Sequence, residues 1–258
     1  MFGFKAPVFG MRRHQGSARK HLSSSEWPGA IYAIGDVHGC LAELSVLTQR
    51  IVEDAGSILG EKWIVLLGDY VDRGPNSAGV LDALRASPPA GFRRFVLAGN
   101  HEAMMLAFLN SPERNKRWLE FGGDTTLASY GLDAKQVMLG SHRTVSAKLR
   151  SHIPEEHIDF LREQPLTLSV PGMVFAHAGL RAGVPVDQQA ESDVLWIRDE
   201  FFRAAPVPGR LVVHGHTPGP EPVIEPGRIC VDTGAYATGI LTAVRLSQGE
   251  PNRFLSNR

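Results

Sequence analysis

The chain has 258 residues, 43% of them hydrophobic and 21% charged, enough apolar material for one large domain or two small ones. Its 27 basic and 27 acidic residues cancel, which removes the electrostatic case for nucleic acid or a membrane surface as the main partner. Cys40 and Cys230 stand far apart and in no metal-binding spacing, so they read as free thiols of a cytoplasmic protein rather than as a disulfide framework.

Residues 1–28 read as a basic, flexible N-terminal tail. Lys5, Arg12, Arg13, Arg19 and Lys20 all precede the first acid, Glu26. No continuous apolar stretch there marks a secretory signal, and none in the chain approaches the ~20 residues of a membrane span. A transit peptide or an arm for polyanions are the other readings of that stretch.

Residues 29–258 read as one domain. Strands are predicted at 30–34, 63–67 and 92–98, each followed by a helix, over about 41–55, 78–85 and 102–109. Residues 111–164 break this rhythm and predict a helical insertion, in which Trp118 and the Gly122–Gly123 pair either line a groove or fill a core. Apolar runs return at 166–170, 173–176, 211–213, 228–231 and 240–246. The pattern predicts an α/β fold of two sheets packed face to face with helices outside.

The chemistry stands at the strand ends. The first closes with Gly35-Asp36-Val37-His38-Gly39, the second with Gly68-Asp69-Tyr70-Val71-Asp72-Arg73-Gly74, the third with Gly99-Asn100-His101-Glu102. Two later strands close with His177-Ala178-Gly179 and His214-Gly215-His216-Thr217. Ligands of open α/β sheets bind beyond the carboxyl ends of strands, so five such ends can converge on one rim. Glycines before Asp36, Asp69 and Asn100 suit a close approach of backbone to an ion or phosphate. The donors are carboxylate, amide and imidazole without thiolate, which favours Mn, Fe or Zn over Ca or Mg. Asp69 is the best placed to bridge two cations, and a cation pair can hold a hydroxide and polarise a phosphoryl oxygen.

GDVHG, GDYVDRG, GNHE, HAG and GHT, in this order, resemble the PPP-type serine/threonine phosphoprotein phosphatases of the metallophosphoesterase superfamily, in a bacterial form. The resemblance spans about residues 30–246 and implies a calcineurin-like four-layer α/β/β/α sandwich. It implies two divalent metal ions, most readily Mn2+ with Fe or Zn as alternatives. Asp36, His38 and Asp69 would hold the first, and Asp69, Asn100, His177 and His216 the second. It further implies that His101, oriented by Asp72, protonates the leaving group, while Arg73, Arg198 and Asn100 bind the substrate phosphate.

The function so implied is hydrolysis of phosphate monoesters, foremost phosphoserine and phosphothreonine in proteins, by direct attack of a metal-bound hydroxide. The alternative is a symmetrical diadenosine tetraphosphatase with the same metals. A phosphoprotein or small phosphorylated substrate, no nucleic acid, no membrane and a monomeric state complete the expectation. His14 and His21 in the tail, and His142, His152 and His157 in the insertion, read as surface residues. His214 reads as a structural neighbour of His216 and Glu102 as a brace for the following helix. Asp232-Thr233-Gly234 reads as a loop near the site with no assigned role.

Overall fold

Period-two alternation in the first long strand sets the layers. In a computed structural model describing residues 19–258, the chain opens with β1 (His21–Ser23) and β2 (Ala30–Ile34). Along β2, Ile31 and Ala33 face one core while Ala30, Tyr32 and Ile34 face another, and all five are buried. Then come α1 (Leu41–Asp54), β3 (Lys62–Leu66), α2 (Ser77–Arg85), β4 (Phe92–Val96) and α3 (Asn100–Asn110). Leu44, Leu47 and Ile51 form the buried stripe of α1, at the three- and four-residue spacing a helix requires.

The stretch expected as an insertion holds α4 (Gly123–Ser129), α5 (Ala134–Val137), α6 (His142–His152) and α7 (Glu155–Glu163). These helices share one apolar core with α1, α2 and α3, through Leu127, Val145, Leu149 and Leu161. They thus widen the outer helical layer. Next in order are β5 (Thr167–Val170), β6 (Met173–Ala176), α8 (Glu191–Trp196), α9 (Asp199–Arg203) and β7 (Leu211–His214). The chain ends with β8 (Val223–Glu225), β9 (Arg228–Cys230), α10 (Ala235–Thr238), β10 (Thr242–Leu246) and β11 (Arg253–Ser256).

Two mixed sheets result, one in the order β11-β10-β2-β3-β4 and the other β1-β5-β6-β7-β9-β8. Between them lie Ile31, Trp63, Val65 and Leu67 from the first and Phe175, Val213 and Ile229 from the second. Burying each such side chain is worth about 2 kcal/mol, so this layer holds the two sheets together. Outside the second sheet, Val194 and Leu195 of α8 cover Val174, Ala176 and Val212. The architecture is therefore α/β/β/α. Because β2, β3 and β4 are parallel, and β6, β7 and β9 likewise, their carboxyl ends share one rim.

Three expectations need correction. Residues 19–28 do not form a free tail: β1 pairs in parallel with β5, and Arg19 Nη1 donates to Leu161 O (2.8 Å) and Gln164 O (2.9 Å). Residues 1–18, His14 among them, lie outside the described residues. His21 is half-buried against Thr167. His157 is buried, because Tyr130 on one side (2.7 Å) and Asp82 on the other (3.0 Å) satisfy both its ring nitrogens. His142 and His152 are exposed. Among the described residues no helix is long and apolar enough to cross a membrane.

Candidate active site

The strand-end loops are zipped to one another before any side chain is considered. Val37 and His38 both donate their amides to Asp69 O, at 3.0 and 2.8 Å, and Gly39 donates to Tyr70 O at 2.8 Å. The Glu102 carboxylate then gathers the second and third loops. It accepts amide hydrogens from Gly99 (2.9 Å), Asp69 (2.8 Å), Tyr70 (2.7 Å) and Val71 (3.2 Å) and is fully buried. Burial and then the Asp69 charge push its pKa up to about 7, yet four N–H donors select the ionised carboxylate, which only accepts. Glu102 is more than a helix brace. It organises the loop that carries Asp69 and Asp72.

These loops bend sharply. Among the described residues the non-glycine residues with left-handed φ are His38 (43°), Asp69 (54°), Asp72 (74°), Arg73 (68°) and His216 (66°), and all five had been marked as site residues. The glycines before Asp36, Asp69 and Asn100 serve the packing of these strand ends on each other. A Cβ on Gly68, itself at φ 113°, would sit 2.7 Å from His177 Nδ1, and one on Gly99 would collide with Asp69.

The ten residues proposed from sequence form one connected network. Asp69 is its centre: Oδ2 lies 3.7 Å from His38 Nε2 and 3.9 Å from His101 Nε2, while Oδ1 lies 3.5 Å from His177 Nε2. Asn100 Oδ1 lies 2.8 Å from His177 Nε2 and 3.0 Å from His216 Nδ1, and those two nitrogens are 3.1 Å apart. Asp36 accepts the His216 amide on both oxygens, at 3.1 and 3.2 Å. His38–Asp69–His101 and Asp69–His177–His216 are each close enough to hold a metal ion. The first places His101 beside Asp69, a position for which the sequence had favoured Asp36.

The electrostatics ask for positive charge. Burial raises Asp36 well above its usual value, helped by Asp232 and Asp69. Burial would also raise Asp69, but His177, His101, His38 and His216 hold it low. His38 is driven down to about 3, first by burial and then by His101. Its Nδ1 is anchored by Val71 O at 2.8 Å, and its buried Nε2 has no partner. His177 is likewise anchored through Nδ1 by Leu67 O (3.0 Å), leaving Nε2 directed at Asn100 and Asp69. Buried carboxylates among neutral imidazoles with aimed lone pairs suit divalent cations that accept oxygen and nitrogen donors.

Beside this centre, His101 Nδ1 donates to Asp72 Oδ2 at 2.6 Å. Asp72 is fully buried and fully satisfied: Trp118 Nε1 donates to the same oxygen (2.7 Å) and Thr126 Oγ1 to the other (2.7 Å). Trp118 is therefore a core residue with a polar task, packed on Phe108, and Gly123 lies against its ring where a Cβ would not fit. Burial lowers the His101 pKa, but Asp69 and Asp72 outweigh it and the net shift is upward. Here Arg73 Nη2 donates to His101 Nε2 at 3.1 Å, which assigns the neutral Nδ1–H tautomer. Protonation at Nε2 requires Arg73 to turn away.

Arg73 is placed by close backbone contact: its amide donates to Gly122 O at 3.2 Å, and a Cβ on Gly122 (φ 101°) would lie 2.5 Å from that amide nitrogen. Arg198 Nε donates at 3.1 Å to Nε2 of His216, a member of the second donor cluster. Two further neighbours complete the surroundings: Asp232, expected near the site but without a role, and Tyr236, which sequence reasoning missed. Asp232, raised to about 6 chiefly by burial, lies beside Asp36. Tyr236 stacks edge-on with His38 at 5.3 Å and carries the Arg73 guanidinium over its ring at 4.6 Å. Its signal in the sequence was only its place in the loop after Asp232.

The chain is 27% identical over 237 residues to a protein named bis(5'-nucleosyl)-tetraphosphatase PrpE [asymmetrical] of Oceanobacillus iheyensis, covering 84% of this chain and 88% of that one. Two solved structures share the fold. One, provisionally assigned as a diadenosine tetraphosphatase, superposes with a TM-score of 0.63 at 22% identity over 93% of this chain and 98% of its own. The other, a cold-active protein-tyrosine phosphatase of a Shewanella species, gives 0.53 at 18% identity over 92% and 82%. The family model of the calcineurin-like phosphoesterases matches residues 29–237, which embrace both donor clusters and the His101–Asp72 pair, and the chain belongs to that family.

Proposed function

We propose that this phosphoesterase hydrolyses dinucleoside tetraphosphates, with a pair of divalent cations, Mn2+ foremost, held by Asp36, His38 and Asp69 and by Asp69, Asn100, His177 and His216. The observation that carries the substrate is the likeness over most of both chains to a bis(5'-nucleosyl)-tetraphosphatase. That name also moves the reading from symmetrical to asymmetrical cleavage. When bound, such cations supply Lewis-acid charge and lower the pKa of a nucleophilic water. The chain's own residues do the rest. Arg73, against His101 of one donor cluster, and Arg198, against His216 of the other, grip phosphate oxygens through their planar forks. As Arg73 turns onto the phosphate it releases His101 Nε2, and Asp72 holds the ring so that a proton there points at the leaving group.

A second reading, hydrolysis of phosphoserine and phosphothreonine, is favoured by that same pair. A phosphate leaving group departs without a proton, whereas an alkoxide needs one, so a positioned acid is most useful for an alkyl phosphomonoester. Hydrolysis of diadenosine tetraphosphate and of phosphopeptides by the manganese-loaded protein, compared through kcat/KM with the products resolved, decides between them. ATP plus AMP from the dinucleotide as the faster reaction supports the first reading. Faster release of phosphate from the peptides overturns it.

A further inference from the structure

We propose that Tyr236 is the positioning residue of Arg73, holding its guanidinium at the mouth of the site through the face of the aromatic ring. Arg73 has no carboxylate partner within ion-pair range among the described residues. Its guanidinium touches His101 Nε2 at 3.1 Å and lies 4.6 Å from the centroid of the Tyr236 ring. An arginine kept free of acids retains its full charge for a substrate anion, but it also needs something to limit its rotamers. A ring face does this without neutralising it.

Tyr236 is itself held firmly. It belongs to the short helix α10, flanked by Gly234 (φ 63°) and Gly239 (φ 67°) in left-handed conformation. Thr238 O accepts from Arg258 Nη2 (3.0 Å) and Gly239 O from Asn257 Nδ2 (3.0 Å). The ring packs edge-on against His38 at 5.3 Å, although the residue is 41% exposed. A large aromatic side chain on a pinned helix, half in solvent and with no hydrogen-bond partner for its hydroxyl among the described residues, is not explained by core packing. Its contacts are with the site.

The inference rests on the reading of Arg73 as a phosphate grip, and the test separates the two. Binding of inorganic phosphate to the manganese-loaded full chain is measured by calorimetry, with KM and kcat for diadenosine tetraphosphate and metal content alongside. Tyr236→Leu is expected to weaken phosphate binding and raise KM about fivefold, the scale of a half-exposed cation–π contact, with metal content and kcat little changed. Tyr236→Phe keeps the ring and restores phosphate binding. In an Arg73→Ala background, Tyr236→Leu is expected to add nothing.

If Tyr236→Leu binds phosphate as the parent does, or weakens binding equally in the Arg73→Ala background, the positioning role is overturned. If Tyr236→Phe is as impaired as Tyr236→Leu, the hydroxyl and not the ring is responsible, and the proposal fails. If Arg73→Ala itself binds phosphate undiminished, the underlying reading of Arg73 falls instead.

Discussion

Trp118 and His101 donate to the same oxygen of Asp72, the indole at 2.7 Å and the imidazole at 2.6 Å. The oxygen is thereby fixed from two directions, and the imidazole plane with it. Replacing Trp118 by Phe keeps most of the ring volume and removes one donor to a buried carboxylate. The expected cost is about 2 kcal/mol of stability, with turnover falling more for alkyl than for aryl phosphate leaving groups. Urea unfolding and a leaving-group series check both; an unchanged series would mean that the indole only packs.

His101→Asn is expected to retain metal and to lower turnover by about 100-fold or more with an alkoxide leaving group, the scale of a lost general acid. The loss should shrink as the leaving group becomes more acidic. Elemental analysis and single-turnover rates on a graded series of phosphate esters measure it. A uniform loss across the series would assign His101 to metal binding, which its place 3.9 Å from Asp69 Oδ2 allows.

Glu102→Gln replaces two acceptor oxygens by one acceptor and one donor, facing four amide donors. The amide group must collide with at least one N–H. A loss of about 3 kcal/mol in unfolding free energy is expected, together with weaker metal retention because the Asp69 loop loosens. Metal content during dialysis distinguishes this from a purely global effect. Full metal retention in a destabilised variant would confine Glu102 to folding.

The buried His214 supplies a pH dependence. Burial holds its pKa near 4, against 6.5 when exposed. Between those values the unfolded chain takes up a proton that the folded chain refuses, so stability is full above pH 6.5 and falls as the pH drops toward 4. The ring also packs on Phe201 and Phe202. His214→Gln is expected to flatten the acid slope by up to about 2 kcal/mol between neutral pH and about pH 5, while other buried histidines keep part of it. Urea midpoints from neutral pH down to about pH 5 give the comparison. An identical slope in the variant would show that His214 does not titrate in this range.

What was legible in the sequence was what is local to it. A strand run ending in Gly-Asp or Gly-Asn-His carries both its structure and its ligand in five or six residues, so ten site residues could be named and are found in contact. What was not legible depends on pairs distant in the chain. Trp118 meets Asp72 across 46 residues, and Glu102 meets the amide of Asp69 across 33. Nothing in the local pattern distinguishes a bracing glutamate from one that holds four amides. β1, β8 and β11 have three or four residues each, too few for alternation to show, and all are secured by a neighbour strand. His157 was placed at the surface because its partners, Asp82 and Tyr130, come from elements that sequence spacing cannot bring together.

Backbone strain is concentrated in five residues of the rim, His38, Asp69, Asp72, Arg73 and His216. Each costs about 1 kcal/mol or more relative to glycine in the same conformation. Glycine at any of these positions would ease the backbone and at the same time delete a side chain the chemistry uses. At Asp72 the deletion would also strand the buried donors of His101, Trp118 and Thr126, which costs more than the relieved strain. The bent backbone is thus held in place by the very hydrogen bonds its side chains make, and strain and satisfaction cannot be separated at that position.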